Sequence, residues 1–124
     1  MTLQQLTHII KKDFSKANSL EVCRIINELE YRISNEVLKP AGLPYREHML
    51  SEKTDQNTSL LIGEQHLIIY TSYITAFFAM SESDWERANA FSELFNQKFS
   101  EFAAEVRKNH TPVTKNTIKG GWLS

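Results

Sequence analysis

The chain has 124 residues, a net charge of −1 at neutral pH, 41% hydrophobic residues and 23% charged residues. These are the values of an ordinary globular domain, so they argue against wholesale disorder and against a global attraction for nucleic acid or an anionic membrane. The single cysteine, Cys23, excludes an internal disulfide and is expected to be a buried thiol. We expect no signal peptide, because the N-terminal stretch lacks a long apolar region, and no stretch reaches the roughly 18 apolar residues of a membrane span.

Two amphipathic helices are predicted, at about residues 3–14 and 20–38. The first opens with a T-x-x-Q capping box at Thr2 and Gln5. The second keeps apolar residues three or four apart and carries charges of alternating sign on the opposite face. This face is predicted to be solvated, and its charged residues are Arg24, Glu28, Arg32 and Glu36.

A long polar connection, residues 39–62, follows the second helix. It exceeds the usual loop length in a small domain, and such connections are usually functional or mobile. Its flanks, YREHML and SLLI, alternate weakly between polar and apolar residues. The sequence therefore leaves open whether these flanks pair as a short β-hairpin or remain a loop.

Two more helices are predicted, at about residues 64–80 and 84–108. The third helix is apolar around much of its circumference, so we expect it to be central in its own domain or shared with a neighbouring molecule. Two overlapping capping boxes, beginning at Ser81 and Ser83, are predicted to start the fourth helix. That helix carries an apolar series in helical register, which we interpret as core: Trp85, Ala88, Phe91, Phe95, Phe99, Phe102 and Val106.

The last segment, residues 111–124, has no helical period and no acidic residue. It carries Lys115 and Lys119, and two glycines precede Trp122 and Leu123. Leaving the apolar surface of a tryptophan side chain in water is unfavourable unless the side chain packs against another protein surface. We therefore expect Trp122 to dock on the same fold or on a second chain, with a solvated terminus as the plain alternative.

No catalytic, metal-binding or phosphate-binding pattern is present in the sequence. The four histidines are scattered singly, no G-x-S-x-G elbow occurs, and the acids before the fourth helix are explained by helix capping. We therefore expect no enzyme, no cofactor and no metal. The sequence predicts an all-α, four-helix bundle-like domain over residues 1–110 with an extended tail over residues 111–124.

In two stretches of the chain, sequence features follow one another in an order that composition alone does not explain. Residues 19–38 combine an opening serine, an Ile-Asn pair and a repeated acidic and apolar face. Residues 60–112 combine Leu-Leu, an aromatic helix with tyrosines at turn spacing, an acidic break, a long helix and a basic N-H-T-P end. This order resembles the head–tail connector (adaptor or head-completion) proteins of tailed bacteriophages. The matching residues are Leu60, Leu61, Tyr70, Tyr73, Glu82, Asp84, Asn89, Phe91, Phe95, Asn96 and 107–112.

The resemblance implies a structural virion protein. Members of this family form a ring, typically a dodecamer, beneath the portal at the capsid vertex. The ring extends the DNA channel and gives the stopper or tail a docking surface. Portal, stopper and tail proteins would be the partners, with packaged DNA touched at most along the channel and no membrane involved. The location would be the head–tail interface of the virion, after assembly in the host cytoplasm.

Partner contacts are predicted from residues 45–62 and 111–124, with Trp122 as an anchor and the basic residues facing the portal or the channel. The predicted contact residues are Tyr45, Leu60, Leu61, Ile62, Arg107, Lys108, Lys115, Lys119, Trp122 and Leu123. An alternative hypothesis is a small helical regulatory or inhibitor protein that binds another protein or nucleic acid. A small enzyme is a third hypothesis, for which the sequence offers no converging polar residues.

Overall fold

The computed structural model describes residues 1–15, 17–45 and 58–110. In these ranges the fold contains four α-helices and no strands, so the predicted all-α class is confirmed. The predicted contact segments lie partly outside the described residues, which exclude 46–57 and 111–124. The helices are α1 (Leu3–Asp13), α2 (Ser19–Ile33), α3 (Leu67–Ser81) and α4 (Trp85–His110), with a π turn at Ser34–Leu38 after α2 and a 3₁₀ turn at Glu64–His66 before α3.

The start of α1 is held by its cap and by the residues that precede α3. The Gln5 N–H donates to Thr2 Oγ1 at 3.2 Å and the Thr2 N–H donates to Gln5 Oε1 at 2.9 Å, which confirms the predicted capping box. The Leu3 N–H donates to the Thr58 carbonyl at 2.9 Å, beside an isolated antiparallel bridge between Thr2 and Ser59. These contacts bring the end of the long connection back to the N-terminus.

The second helix begins at a side-chain cap and ends in a wider turn. Asn18 Oδ1 accepts from the Leu20 N–H at 2.8 Å and caps α2. At the other end the Lys39 N–H donates to the Ser34 carbonyl at 2.8 Å, five residues earlier, which makes the last turn a π turn. Gly42, at φ +73°, then completes the reversal of the chain.

The third helix is central in its own domain. It packs against α1, α2 and α4, and it buries residues on several sides, including Ile69, Tyr70, Ile74 and Phe78. One apolar cluster extends from residue 3 to residue 106 and contains Phe95, Phe99 and Phe102, so these three aromatic residues of α4 are core as predicted. Cys23 is also buried, as expected. Within the described ranges, no helix combines the length and the apolar character needed to cross a bilayer.

The turn between α3 and α4 is a Schellman motif built on serine. The Asp84 N–H donates to the Ala79 carbonyl at 2.8 Å, and the Ser83 N–H donates to the Met80 carbonyl at 3.0 Å. These are the two bonds of the motif, which usually has glycine at its left-handed position. Here Ser83 occupies that position, at φ +61°.

The two capping boxes predicted for α4 are wrong. Ser81 belongs to the last turn of α3, where its hydroxyl donates to a carbonyl four residues earlier at 3.1 Å. Ser83 occupies the left-handed position of the Schellman turn, outside α4. The cap of α4 is Asp84, whose Oδ1 accepts from the Arg87 N–H at 3.2 Å.

Replacing Ser83 by glycine is expected to raise the free energy of unfolding by about 0.5–1 kcal/mol. The left-handed conformation costs an L-residue roughly 1–2 kcal/mol, and the greater freedom of glycine in the unfolded chain offsets part of that gain. Urea unfolding with an unchanged m-value would measure the difference. The matched control is Ser81→Gly inside α3, which should lower stability by up to about 1 kcal/mol. A lower urea midpoint for Ser83→Gly would contradict this account.

Candidate functional site

A surface groove lies between α2 and α4, with α3 as its floor. Its volume is about 290 Å³, which is at the lower limit of the roughly 300–1,000 Å³ typical of small-molecule sites. The groove is therefore better suited to side chains of a partner than to an enclosed ligand. Its larger lining residues are Arg32 from α2, Tyr73, Phe77 and Met80 from α3, and Phe95 and Asn96 from α4.

Two arginines of α2 cover the aromatic side chains of the groove. The Arg32 Cζ lies 4.7 Å from the ring centroid of Phe99 and 5.3 Å from that of Phe95. The Arg24 Cζ lies 5.6 Å from the centroid of Phe77. At these distances a guanidinium is attracted to the ring face. The charged face of α2 is solvated as predicted, and it also forms one wall of the groove.

Ion pairs along α2 hold these arginines in place. Arg24 Nη1 lies 3.5 Å from Glu28 Oε2, and Arg32 Nε lies 3.0 Å from Glu36 Oε2, so the predicted pairing four residues apart is confirmed. Exposed pairs of this kind contribute at most about 1 kcal/mol each. Their main effect is to orient the guanidinium groups over the aromatic rings.

Tyr73 is the titratable group inside the groove. Its ring centroid lies 4.9 Å from that of Phe95, and its hydroxyl donates to Glu28 Oε1 at 3.5 Å. Burial raises the pKa of the Tyr73 hydroxyl, and the negative charge of Glu28 raises this pKa further, while the Arg32 charge acts in the opposite direction. The folded state therefore favours the neutral phenol.

This pKa shift predicts a loss of stability at alkaline pH. The neutral Tyr73 phenol contributes to the free energy of unfolding. This contribution is fully present below the ordinary pKa of tyrosine, about 10, and is lost as pH rises through the higher pKa of the folded state. Above about pH 10 the urea midpoint of the wild type should therefore fall more steeply than that of Tyr73→Phe. The control Tyr31→Phe, at an exposed position on α2, should follow the wild type. Equal slopes for Tyr73→Phe and the wild type would contradict the prediction.

Three exposed apolar side chains lie near the ends of the helices that form the groove, at the start of α2, the end of α3 and the start of α4. Leu20, Met80 and Trp85 are 53%, 50% and 58% exposed, and we call this set the groove mouth. Met80 and Ser92 line the groove, and Arg24 covers the lining residue Phe77. Leu20 precedes Arg24 by one turn of α2 and Trp85 precedes Ser92 by two turns of α4, so helix register places both on the groove side of their helices. Clustered exposed apolar side chains mark interaction sites.

Trp85 is a correction to the sequence interpretation. Its spacing placed it in register with the core series of α4, but it is the first residue of that helix and its side chain is exposed. The Schellman turn determines where α4 begins, and because α4 begins directly after Asp84, Trp85 lies in the first turn of the helix. Trp85 is therefore a surface residue of the groove mouth, and the sequence pattern alone did not show this.

The predicted contact residues near the long connection have different environments. Tyr45 is exposed, and the Lys39 Nζ lies 4.9 Å from its ring centroid. Leu60 and Ile62 are buried in the core of the same chain, and Leu61 is partly buried against it. These side chains pack inside the chain and are not available to a partner in this conformation.

The remaining predicted contacts lie at and beyond the end of α4. Arg107 and Lys108 are exposed on its last turns. Lys115, Lys119 and the pair Trp122–Leu123 lie outside the described residues. The structure therefore brings none of these basic residues to the groove of the same chain within the part that it describes.

Histidine and acidic side chains form no metal site in residues 1–15, 17–45 and 58–110. His66 packs edge-on against Phe102, with the ring centroids 4.8 Å apart, and its Nε2 lies 3.9 Å from Glu105 Oε1.

Comparisons of the chain with protein-family models, curated proteins and solved structures found no match.

Proposed function

We propose that the chain is a structural virion protein, a subunit of a ring-shaped head–tail connector of a tailed bacteriophage. It would dock on the portal, extend the DNA channel and provide the attachment surface for the stopper or tail. The observation that carries this proposal is the order of elements: a charged and apolar α2, a long connection, an apolar central α3, a short acidic turn and a long α4 with a basic end.

The shape of α4 supports this assignment. The helix has 26 residues, which gives a length of about 39 Å. Its contacts with the start of α3 are near Phe102, which packs on His66. Arg107 and Lys108 lie one to two turns further along, where they are exposed. An exposed basic pair at the helix end is suited to an acidic portal surface or to the channel that carries DNA.

The proposal also assigns the segments that would contact partners and the place of the protein in the virion. Residues 45–62, through positions before Leu60, and the tail over residues 111–124 would supply contacts with neighbouring subunits, the portal or the stopper. The protein would reside at the head–tail interface of the virion and in the host cytoplasm during assembly. In a ring these interfaces are heterologous, so different patches of each subunit meet.

Co-expression of the full chain with the portal protein of the same phage tests the proposal. The expected result is a co-purifying complex whose negative-stain images show an added ring on the portal. Lys108→Glu should weaken the complex, whereas Lys98→Glu, a matched change in the middle of α4, should leave it intact. A chain that remains non-interacting with the portal would overturn the proposal.

The alternative is a helical regulatory or inhibitor protein, and the exposed Arg107 and Lys108 make nucleic acid its testable partner. A titration with duplex DNA at several salt concentrations distinguishes the two functions. Binding that weakens steeply with salt, together with no portal complex, would favour the regulatory protein.

A further inference from the structure

The groove mouth needs a partner that is both apolar and basic. Leu20, Met80 and Trp85 provide exposed apolar surface. The turn between Met80 and Trp85 adds exposed carboxylates at Glu82 and Asp84, and Glu86 follows in the first turn of α4. An apolar segment that carries lysines would complement this combination.

Carboxylates outnumber cations in the surface depression at this end of the bundle, which Asp13, Glu21, Glu82 and Arg87 line together. The Arg87 Cζ lies 5.1 Å from the ring centroid of Phe14 and 5.9 Å from that of Phe91, so its guanidinium is directed towards these rings. Lys11 and Lys12 belong to the last turn of α1, on a different helix from the acidic turn. Since three carboxylates and one guanidinium line that depression and the exposed Asp84 and Glu86 follow Glu82 along the chain, the turn keeps an acidic character and forms an acidic border beside the groove mouth.

This chain contains a segment of the required chemistry. Residues 111–124 include Lys115 and Lys119, the apolar pair Trp122–Leu123 and no acidic residue. Tryptophan is enriched at the centres of protein interfaces, where it fills apolar depressions. The sequence 111–124 is therefore a chemically complementary occupant of the groove mouth.

Distance decides whether this segment comes from the same chain or from a second copy. It follows the C-terminal end of α4, whereas Trp85 is at the N-terminal end, about 38 Å away along the helix. The roughly twelve residues from His110 to Trp122 span at most about 43 Å when fully extended. Only a nearly straight segment could reach the groove mouth of its own chain, so a second copy is favoured.

We infer that Trp122 and Leu123 of one copy dock at the groove mouth of a second copy, between Leu20, Met80 and Trp85. Lys115 and Lys119 then approach the acidic border of that mouth. The contact is head-to-tail, since it joins the end of one α4 to the start of the next, and such contacts close into rings when the rotation per subunit allows it. The inference deepens the proposed function, because it assigns an interface between subunits of the ring.

Mixing two full-length variants tests the contact without any portal. Wild type should self-associate with rising concentration in analytical ultracentrifugation, whereas Trp85→Glu and Trp122→Ala should each remain monomeric at the same concentrations. An equimolar mixture should form dimers and nothing larger, because one variant keeps an intact tail and the other an intact mouth. Tyr31→Glu, a change at an exposed aromatic residue of α2 outside the groove, should self-associate like wild type.

Cross-linking then identifies the surfaces that meet. A photoreactive phenylalanine analogue at position 122 of the full chain is mixed with ¹⁵N-labelled wild type and irradiated, and the adducts are mapped by mass spectrometry. Adducts that join the analogue to labelled peptides containing Met80 or Trp85 are expected. Adducts confined to the analogue's own chain, adducts to other surfaces, or a wild type that stays monomeric would each overturn the inference.

The outcomes separate this inference from the proposed function. If Trp85→Glu formed the portal complex as well as the wild type, the result would contradict the tail contact and support the connector assignment. Self-association through Trp85 and Trp122 without a portal complex would keep the contact and remove the connector assignment.

Discussion

Replacing Glu30 by alanine is expected to lower the free energy of unfolding by about 3–5 kcal/mol. Glu30 is 1% exposed, and its Oε2 accepts from the Tyr70 hydroxyl at 2.7 Å and from the Leu61 N–H at 2.8 Å. Alanine would leave both donors without this acceptor, at roughly 1–3 kcal/mol each, and would add a cavity. Chemical denaturation of the purified variant measures the loss.

The matched control is Glu28→Ala, two residues earlier on the same helix. Glu28 is exposed, pairs with Arg24 and accepts a long, exposed hydrogen bond from the Tyr73 hydroxyl at 3.5 Å, so its removal should cost no more than about 1 kcal/mol. A double-mutant cycle of Glu30→Gln with Tyr70→Phe should give a coupling energy of about 0.5–3 kcal/mol, since the two side chains share a buried hydrogen bond. Equal losses for Glu28→Ala and Glu30→Ala would contradict the role assigned to the buried carboxylate.

The same carboxylate positions the end of the long connection. The Leu61 N–H donates to Glu30, and the Ile62 N–H donates to the Tyr70 hydroxyl at 3.4 Å. Residues 60–62 are thereby held against α2 and α3, which explains why Leu60 and Ile62 are buried. Partner contacts from this part of the chain would have to come from positions before Leu60.

Much of this fold is predictable from local chemistry. The capping box of Thr2 with Gln5 and the apolar spacing of α1 and α2 are encoded within a few residues, so the helices lie where the pattern predicts. The apolar circumference of α3 also predicts its position, since a helix that is apolar on most sides must be surrounded. Pairing of Arg32 with Glu36 is equally local, because four residues bring them to the same helix face.

The remaining features depend on partners that are distant in sequence. Glu30 lies on the apolar stripe of α2, which is a signal of burial, but its donors are 31 and 40 residues away. The exposure of Trp85 depends on where the Schellman turn returns α4 along α3, and a left-handed Ser83 is rare enough that sequence chemistry favours helix capping there. The groove mouth also depends on residues that are distant in sequence, because its three side chains come from the ends of three different helices. It could therefore not be predicted from the sequence.

The aromatic series of α4 has a buried part around Phe99 and a half-buried part around Phe91. Phe99 is buried, with its ring stacked on Phe95 at a centroid distance of 5.4 Å and the Arg32 guanidinium above it. Phe99→Ala should therefore lower the free energy of unfolding by about 3–5 kcal/mol, because it opens a cavity and removes the platform of Arg32. Phe91→Ala, a half-buried position two turns earlier in the same helix, should cost clearly less, about 1–2 kcal/mol.

The comparison of these two variants also bears on the groove, because Phe99 stacks on the lining residue Phe95 whereas Phe91 lies towards Arg87. If the cation–π contact contributes to stability, Arg32→Met should cost about 1 kcal/mol in the wild type and clearly less in the Phe99→Ala background. Equal costs of Arg32→Met in both backgrounds would show that the guanidinium covers the rings without binding them. Non-additive costs would establish that α2 and α4 are joined through this contact, which then fixes the width of the groove that ends at Trp85.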